Sequence, residues 1–168
     1  MKTNNLLRVL ILEDEPDDAT LILYQVKKTI YNINARVIAD KKQYSALLKS
    51  WEPDIIISDY YVPGFDGADA LLLAKELAPN TPFIFVTGKV TEELAEETII
   101  SSTEAYLLKD HLERLPVIVE VLIDKEKLLF KNNNLKAMIS DAHALIQSSK
   151  EKVIKKNINI DKLKYKKS

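Results

Sequence analysis

The chain has 168 residues, of which 46% are apolar and 29% charged, with a net charge of −1 and no cysteine. This length suits one domain with at most an appendage, and the near-neutral charge predicts no direct nucleic-acid partner. The lack of cysteine excludes disulfides, thiolate metal sites and thiol nucleophiles, which fits a cytoplasmic protein. The first apolar run, LLRVLIL, is too short for a signal peptide, and no run reaches the roughly 20 apolar residues of a membrane span.

Five short apolar runs, rich in residues that favour strands, alternate with stretches of helical spacing. The predicted strands cover residues 6–12, 35–39, 54–58, 82–87 and 104–109. The predicted helices cover residues 17–30, 41–51, 66–77 and 91–100, and Pro53 and Pro79 end the second and third. This alternation predicts an α/β protein with a doubly wound parallel sheet covered on both faces. The unbroken apolar run IIIS is typical of a central strand.

The polar residues that follow the predicted strands are the candidate site, because doubly wound sheets bind ligands at the carboxyl ends of their strands. Four strand ends carry such residues: Glu13, Asp14 and Glu15 after strand one, Asp59 after strand three, Thr87 and Gly88 after strand four, and Lys109 and Asp110 after strand five. Carboxylates, a hydroxyl group and an ammonium group are therefore expected at one edge of the sheet.

Carboxylates from two strand ends share a small volume readily only around a cation, because like charges raise one another's pKa. The donors are oxygen atoms, which favours Mg²⁺ or Mn²⁺ over zinc. Beside such a metal, Lys109 and Thr87 suit a phosphoryl group, and Gly88 leaves room for that group to approach backbone N–H. Asp59, alone after the central strand, is the best candidate for the phosphoryl acceptor.

The acidic run EDEPDD has a second interpretation. Taken alone, acidic residues before a helix serve equally well as N-caps and as partners of the helix dipole. The joint placement of the required residue types at four strand ends favours a phosphoryl-transfer site over a set of caps.

A family resemblance rests on these same residues. The acidic pair Glu13–Asp14, the Asp of DYYVPGFDG, the Thr of FVTG and the Lys of YLLKD occur in order and at suitable spacings. On them the chain resembles the receiver domain of two-component response regulators, from about Leu6 to Asp124. The resemblance implies a flavodoxin-like (βα)5 domain with strand order 2-1-3-4-5, which we expect to span residues 1–127.

The resemblance also implies the metal ligands and the acceptor. Asp59 matches the phosphorylated aspartate, Asp14 the direct Mg²⁺ ligand, and Glu13 the second acidic position, which often acts through a water. Tyr61 matches the residue whose backbone carbonyl binds the metal.

The remaining matches concern the phosphoryl group and the switch. Thr87 and Lys109 match the hydroxyl and the amine that contact the phosphoryl group, and Tyr106 matches the aromatic that turns inward when the Thr moves. Members of this family take the phosphoryl group from a histidine kinase or phosphotransfer protein and later hydrolyse it themselves. The bulky Tyr61 leaves the lifetime of the acyl phosphate unpredicted, because the residue at this position influences access of water.

The tail is predicted to form a long helix, with a possible coiled coil over residues 128–168. Heptads with position a at Ile118, Asn132, Ile139 and Ile146 leave ten of fourteen a and d positions apolar, which favours a parallel homodimer. Asn132 and Lys125 at a positions are typical of a two-stranded register. The alternatives are a helix folded back on its own domain and a frayed lysine-rich end, and NNN at 132–134 is a poor helix former.

Three functions are weighed. The first is a receiver that switches protein contacts, acting alone or as a fragment of a hybrid sensor kinase. The second is a Mg²⁺-dependent phosphatase with an Asp nucleophile, which is disfavoured because such enzymes usually carry an aspartate two residues further on, where this chain has Tyr61. The third is a receiver-like scaffold that no longer switches.

Overall fold

The computed structural model describes residues 6–88 and 103–165, with the backbone alone described for residues 153 and 156–165. The strands are β1 (Leu6–Leu12), β2 (Asn32–Ile38), β3 (Ile55–Ser58), β4 (Tyr61–Val62), β5 (Phe65–Asp66), β6 (Phe83–Thr87) and β7 (Ala105–Leu108). The helices are α1 (Pro16–Val26), α2 (Lys41–Ser50), α3 (Gly67–Leu77) and α4 (Leu115–Tyr165), with a 3₁₀ helix at Lys109–Arg114. The predicted helix at 91–100 lies outside the described residues.

The five longer strands form one parallel sheet in the order β2-β1-β3-β6-β7. Numbered among themselves, they follow the order 2-1-3-4-5, so the predicted flavodoxin-like topology is confirmed. The chain leaves β1 towards β2 on one side and returns to β3 on the other. The strand order therefore reverses between β1 and β3, which is where this class of fold binds its ligands.

Alternate residues of the central strands enter two hydrophobic cores, one on each face of the sheet. On one face, Ile57 of β3 packs with α1 and with Val119 at the start of α4. On the other face, Ile56 packs with Leu48 of α2 and Leu71 of α3. All four residues of β3 are buried, as the apolar run predicted for a central strand.

The chain divides into two compact units, Met1–Lys125 and Glu126–Ser168. The first contains the sheet, its helices and the start of α4, where Leu115 and Val119 are fully buried. In the second, the described side chains from 127 to 152 are exposed. Among the described residues, no helix has both the length and the apolar character needed to cross a membrane. The division at residue 127 into receiver and tail stays a prediction.

The connection between α1 and β2 differs from the prediction. The helix ends at Val26 rather than Ile30, because the backbone N–H groups of Lys28 and Thr29 donate to the carbonyls of Gln25 and Val26, three residues earlier rather than four. The strand begins at Asn32, three residues earlier than predicted. This is an edge strand with many exposed side chains, so its first residues do not form an apolar run.

The segment after β3 contains a feature that the sequence did not predict, the antiparallel pair β4–β5. Gly64 closes the turn between these strands with φ +75°, a left-handed conformation that glycine adopts at low cost. Asp66 then caps α3, accepting a hydrogen bond from Ala68 N at 2.8 Å. α3 thus covers Gly67–Leu77, within one residue of the helix predicted over 66–77.

Gly67 lies against Tyr60, and we expect Gly67→Ala to lower the free energy of unfolding by about 1–3 kcal/mol. An added Cβ would lie 2.8 Å from both the Cα and the carbonyl oxygen of Tyr60, and backbone atoms cannot move aside cheaply. Urea denaturation followed by circular dichroism measures the loss.

Gly88→Ala is the matched control, because an added Cβ there has no heavy atom within 4 Å among the described residues. We expect it to change stability by less than about 1 kcal/mol. Equal losses in the two variants would show that contact with Tyr60 is not what requires glycine at position 67.

Candidate functional site

The carboxyl ends of β1 and β3 bring three carboxylates together. The sheet ladder continues past the strands, as Asp59 N donates to Leu12 O at 2.8 Å and Glu13 N donates to Ile38 O at 2.9 Å. Glu13, Asp14 and Asp59 each offer a carboxylate oxygen within 4.8 Å of the others. Glu13 and Asp59 are buried, with 2% and 7% of their surface exposed. Two neighbouring strands thus hold three carboxylates close together, two of them buried and one half-buried.

The ammonium of Lys109, which follows β7, lies among these carboxylates. Its Nζ donates a hydrogen bond to Asp59 Oδ2 at 2.7 Å and another to Asp18 Oδ2 at 2.5 Å. It also lies 2.8 Å from Glu13 Oε2. That third contact is a buried ion pair. One ammonium therefore contacts three carboxylates, one from α1 and two from the residues that follow β1 and β3.

Burial and charge act against each other in this cluster. Burial raises the pKa of Glu13 above its ordinary value, although the ion pair with Lys109 and the hydrogen bond from Glu15 N partly offset that effect. Burial lowers the pKa of Lys109, but the carboxylates of Asp18, Asp59 and Glu13 outweigh it and hold that pKa above its usual range. Lys109 therefore stays charged at neutral pH.

The donor set fits a hard divalent cation. All the available atoms are carboxylate oxygens from Glu13, Asp14 and Asp59, the ligand type that Mg²⁺ and Mn²⁺ favour. Glu13 Oε2 is buried and contacts Lys109 Nζ at 2.8 Å, so a cation bound to this oxygen would have to replace that contact. Asp59 Oδ1 accepts a hydrogen bond from Tyr61 N at 3.3 Å, which places the Tyr61 backbone beside the Asp59 carboxylate.

Thr87 and Gly88 follow at the next strand. Thr87 ends β6, which neighbours β3, and it is fully buried. It is paired with Leu108, the residue immediately before Lys109. Gly88 is exposed, and the space beside its Cα is open among the described residues. Sheet order therefore places the predicted hydroxyl and glycine at the same edge as the acidic cluster.

Two tyrosines flank this edge in different ways. Tyr106 lies opposite Phe85 in the sheet and packs against the core beneath α2 and α3. Its hydroxyl is buried without a hydrogen-bond partner among the described residues, and burial raises its pKa. Tyr61 is 48% exposed, whereas its neighbour Tyr60 is buried with its ring 5.4 Å from that of Phe85.

Asp18 is the site residue that sequence reasoning missed. The run EDEPDD predicts metal ligands or helix caps, yet Glu15, the N-cap residue of α1, makes no capping hydrogen bond with its side chain. Asp18 instead reaches Lys109. Asp18 lies in the first turn of α1, and its contact with Lys109, 91 residues away, leaves no local signal in the sequence.

Comparison with known proteins identifies the family. Residues 9–120 match the response regulator receiver domain. The regulatory protein LuxO of Vibrio cholerae is 26% identical over 129 residues, which cover 73% of this chain and 28% of LuxO. The transcriptional regulatory protein YxjL of Bacillus subtilis is 29% identical over 106 residues, covering 63% of this chain and 49% of YxjL. The chain thus spans half or less of the length of these curated relatives.

Solved structures agree with the fold. The receiver domain of a LuxO repressor protein from Vibrio parahaemolyticus is 26% identical, with a TM-score of 0.64, and the match covers 74% of this chain and 95% of that one. The receiver domain of the sensor histidine kinase PA1611 from Pseudomonas aeruginosa has a TM-score of 0.62 at 23% identity, covering 71% of this chain and 99% of that one. The chain belongs to the response regulator receiver domain family, the phosphorelay receivers of two-component signalling.

Proposed function

We propose that Asp59 is the phosphoacceptor of this receiver. The observation that carries the proposal is the position of its carboxylate, which follows the central strand and lies 2.7 Å from the Lys109 ammonium. A carboxylate oxygen of Asp59 attacks the phosphorus of the donor, the bond from phosphorus to the donor's leaving atom breaks, and an acyl phosphate forms. Lys109 and the Thr87 hydroxyl bind the phosphoryl oxygens, and the backbone at Gly88 lies open to them.

Mg²⁺ is the proposed cofactor, with Mn²⁺ as an alternative. Glu13, Asp14 and Asp59 would hold it with their carboxylates, and Tyr61 with its backbone carbonyl. When bound, the ion neutralises charge on the transferring phosphoryl group. The acidic cluster supports this assignment, as does the receiver domain of PA1611, whose structure carries a magnesium ion in the active-site cleft.

The proposed partners follow from the chemistry of the acceptor. A histidine kinase or a phosphotransfer protein supplies the phosphoryl group, and the response switches protein contacts through Thr87 and Tyr106. Tyr61 lies where a phosphatase of the aspartate class would carry its general acid, so we propose a phosphoacceptor rather than an enzyme acting on external substrates. A cytoplasmic location stays a prediction.

We also propose that the tail pairs in a parallel homodimer. In the described part of α4, the a and d side chains Leu128, Leu135, Ile139 and Ile146 are each about half exposed or more, in a stripe of heptad spacing. Exposed apolar side chains repeated at this spacing are stabilised when a second helix covers them. Asn132, at an a position, favours a two-stranded register.

We expect the wild type to accept one phosphoryl group from a small phosphodonor with Mg²⁺, and Asp59→Asn to accept none, because an amide lacks the nucleophilic oxygen. Intact-protein mass spectrometry measures the product. Cleavage of the adduct by hydroxylamine identifies it as an acyl phosphate.

Ser58→Ala is the control, since Ser58 is the buried neighbour whose hydroxyl donates to Asp59 O. That variant should still be labelled. Labelling of Asp59→Asn to the extent seen in the wild type would remove Asp59 from the acceptor role.

We expect Ile139→Glu to convert a dimer into a monomer, because two carboxylates would face each other at an a position of the seam. Phe130→Glu is the matched control: Phe130 is also apolar and 70% exposed, but it lies at an f position on the opposite side of the helix. Light scattering after size-exclusion chromatography measures the mass, with and without beryllofluoride and Mg²⁺. A monomeric wild type under both conditions would contradict the dimer, and equal disruption by both variants would contradict the heptad assignment.

A further inference from the structure

The Lys109 ammonium has a carboxylate partner that the proposed phosphoryl chemistry does not use. Asp18 Oδ2 lies 2.5 Å from Lys109 Nζ, compared with 2.7 Å for Asp59 and 2.8 Å for Glu13. Asp18 comes from the first turn of α1, whereas Glu13 and Asp59 follow strands. The ammonium therefore has partners on two sides, one at the strand ends and one on a helix.

Asp18 lies outside the group of carboxylates that fits a metal ion. That group consists of Glu13, Asp14 and Asp59. The side chain of Asp18 is 34% exposed, against 0% for Glu13 and 10% for Asp59. Asp18 thus lies at the rim of the site. It could stay paired with Lys109 while Glu13 and Asp59 bind a cation.

Lys109 and a divalent cation compete for the same oxygens. Nζ contacts one oxygen of Glu13 and one of Asp59, which are two of the three proposed ligand residues. A cation at those ligands repels an ammonium a few ångströms away. Only 16% of the Lys109 side chain is exposed, so an ammonium that simply left its partners would be poorly solvated.

We propose that Asp18 is a positioning residue that retains Lys109 when a divalent cation binds Glu13 and Asp59. Its carboxylate neutralises the displaced ammonium at the rim, which lowers the cost of cation entry. Lys109 then remains beside the acceptor, ready to contact the phosphoryl group. The inference rests on the metal site of the proposed function and adds a residue that acts on the metal only through Lys109.

The test is the dissociation constant for Mg²⁺, measured on the full chain by isothermal titration calorimetry. We expect Asp18→Asn to weaken binding on the order of threefold to fivefold, the upper part of the range for loss of a partly exposed charge pair. Asp17→Asn is the matched control, because it removes the same charge from the exposed neighbouring residue in the same helical turn. That control should weaken binding less than about twofold.

A double-mutant cycle separates positioning from direct attraction of the ion. In a Lys109→Ala background, Asp18→Asn should have no more effect than Asp17→Asn, since there is no ammonium left to retain. If Asp18→Asn weakens Mg²⁺ binding as much in that background as in the wild type, Asp18 acts on the ion itself. If Asp17→Asn and Asp18→Asn weaken binding equally in the wild type, the effect comes from the net charge of the helix and not from the contact with Lys109. Either result overturns the inference while leaving the proposed metal site intact. Failure of the wild type to bind Mg²⁺ would overturn the metal site and the inference with it.

Discussion

The ion-pair cluster around Lys109 is the interaction on which the functional edge of this protein depends. Glu13 and Asp59 are almost fully buried, and two buried carboxylates repel each other unless a cation lies between them. Lys109 supplies that positive charge, because its Nζ lies 2.7 Å from Asp59 Oδ2 and 2.8 Å from Glu13 Oε2. The ammonium therefore supplies positive charge that two buried carboxylates this close together require.

The register of β1 against β3 decides whether this cluster can form. At the opposite ends of these strands, Arg8 and Asp54 fix the pairing: Arg8 N donates to Asp54 Oδ2 at 2.8 Å, and Asp54 N donates to Arg8 O at 2.9 Å. The Arg8 guanidinium also reaches Asp54 Oδ1 and the carbonyl of Trp51. A slip of one residue would turn every side chain of the strand to the other face and carry Asp59 away from Glu13. The hydrogen bonds between Arg8 and Asp54 at one end of these strands thus help to fix the position of the acidic cluster at the other end.

The parts of the molecule that the sequence predicted are those dictated by local pattern. Apolar runs located the strands because burial on both faces demands them, and the carboxyl-edge rule then selected Glu13, Asp59 and Lys109 before any geometry was known. The pair β4–β5 was missed, because each strand has two residues and carries no periodicity. Asp18 was missed for a different reason. Its role depends on where the Lys109 side chain lies in space, and a contact 91 residues apart leaves no local signal.

The start of α4 connects the site to the rest of the chain by a short route. Lys109 begins the 3₁₀ helix that runs directly into α4, so only Asp110–Arg114 separate the ammonium from the first residue of that helix. Within the first unit, this end of α4 is held by the buried Leu115 and by two contacts with the loop after α1. In these, Glu120 Oε1 accepts from Ile30 N at 2.8 Å, and Asp124 Oδ1 accepts from the buried Tyr31 hydroxyl at 2.7 Å.

These contacts hold the start of α4 in place, so a movement of Lys109 would change the backbone between Lys109 and α4 first. A 3₁₀ segment has poorer hydrogen-bond geometry than an α-helix, and His111 inside it departs from helical angles, with φ −123° and ψ 28°. The first turns of α4 are fixed to the core by contrast, through side chains and hydrogen bonds that would have to break together. A small movement of the ammonium between Asp18 and Asp59, as proposed above, would be taken up most easily within residues 109–114. Any movement of the start of α4 would have to break its hydrogen bonds to Ile30 and Tyr31 as well.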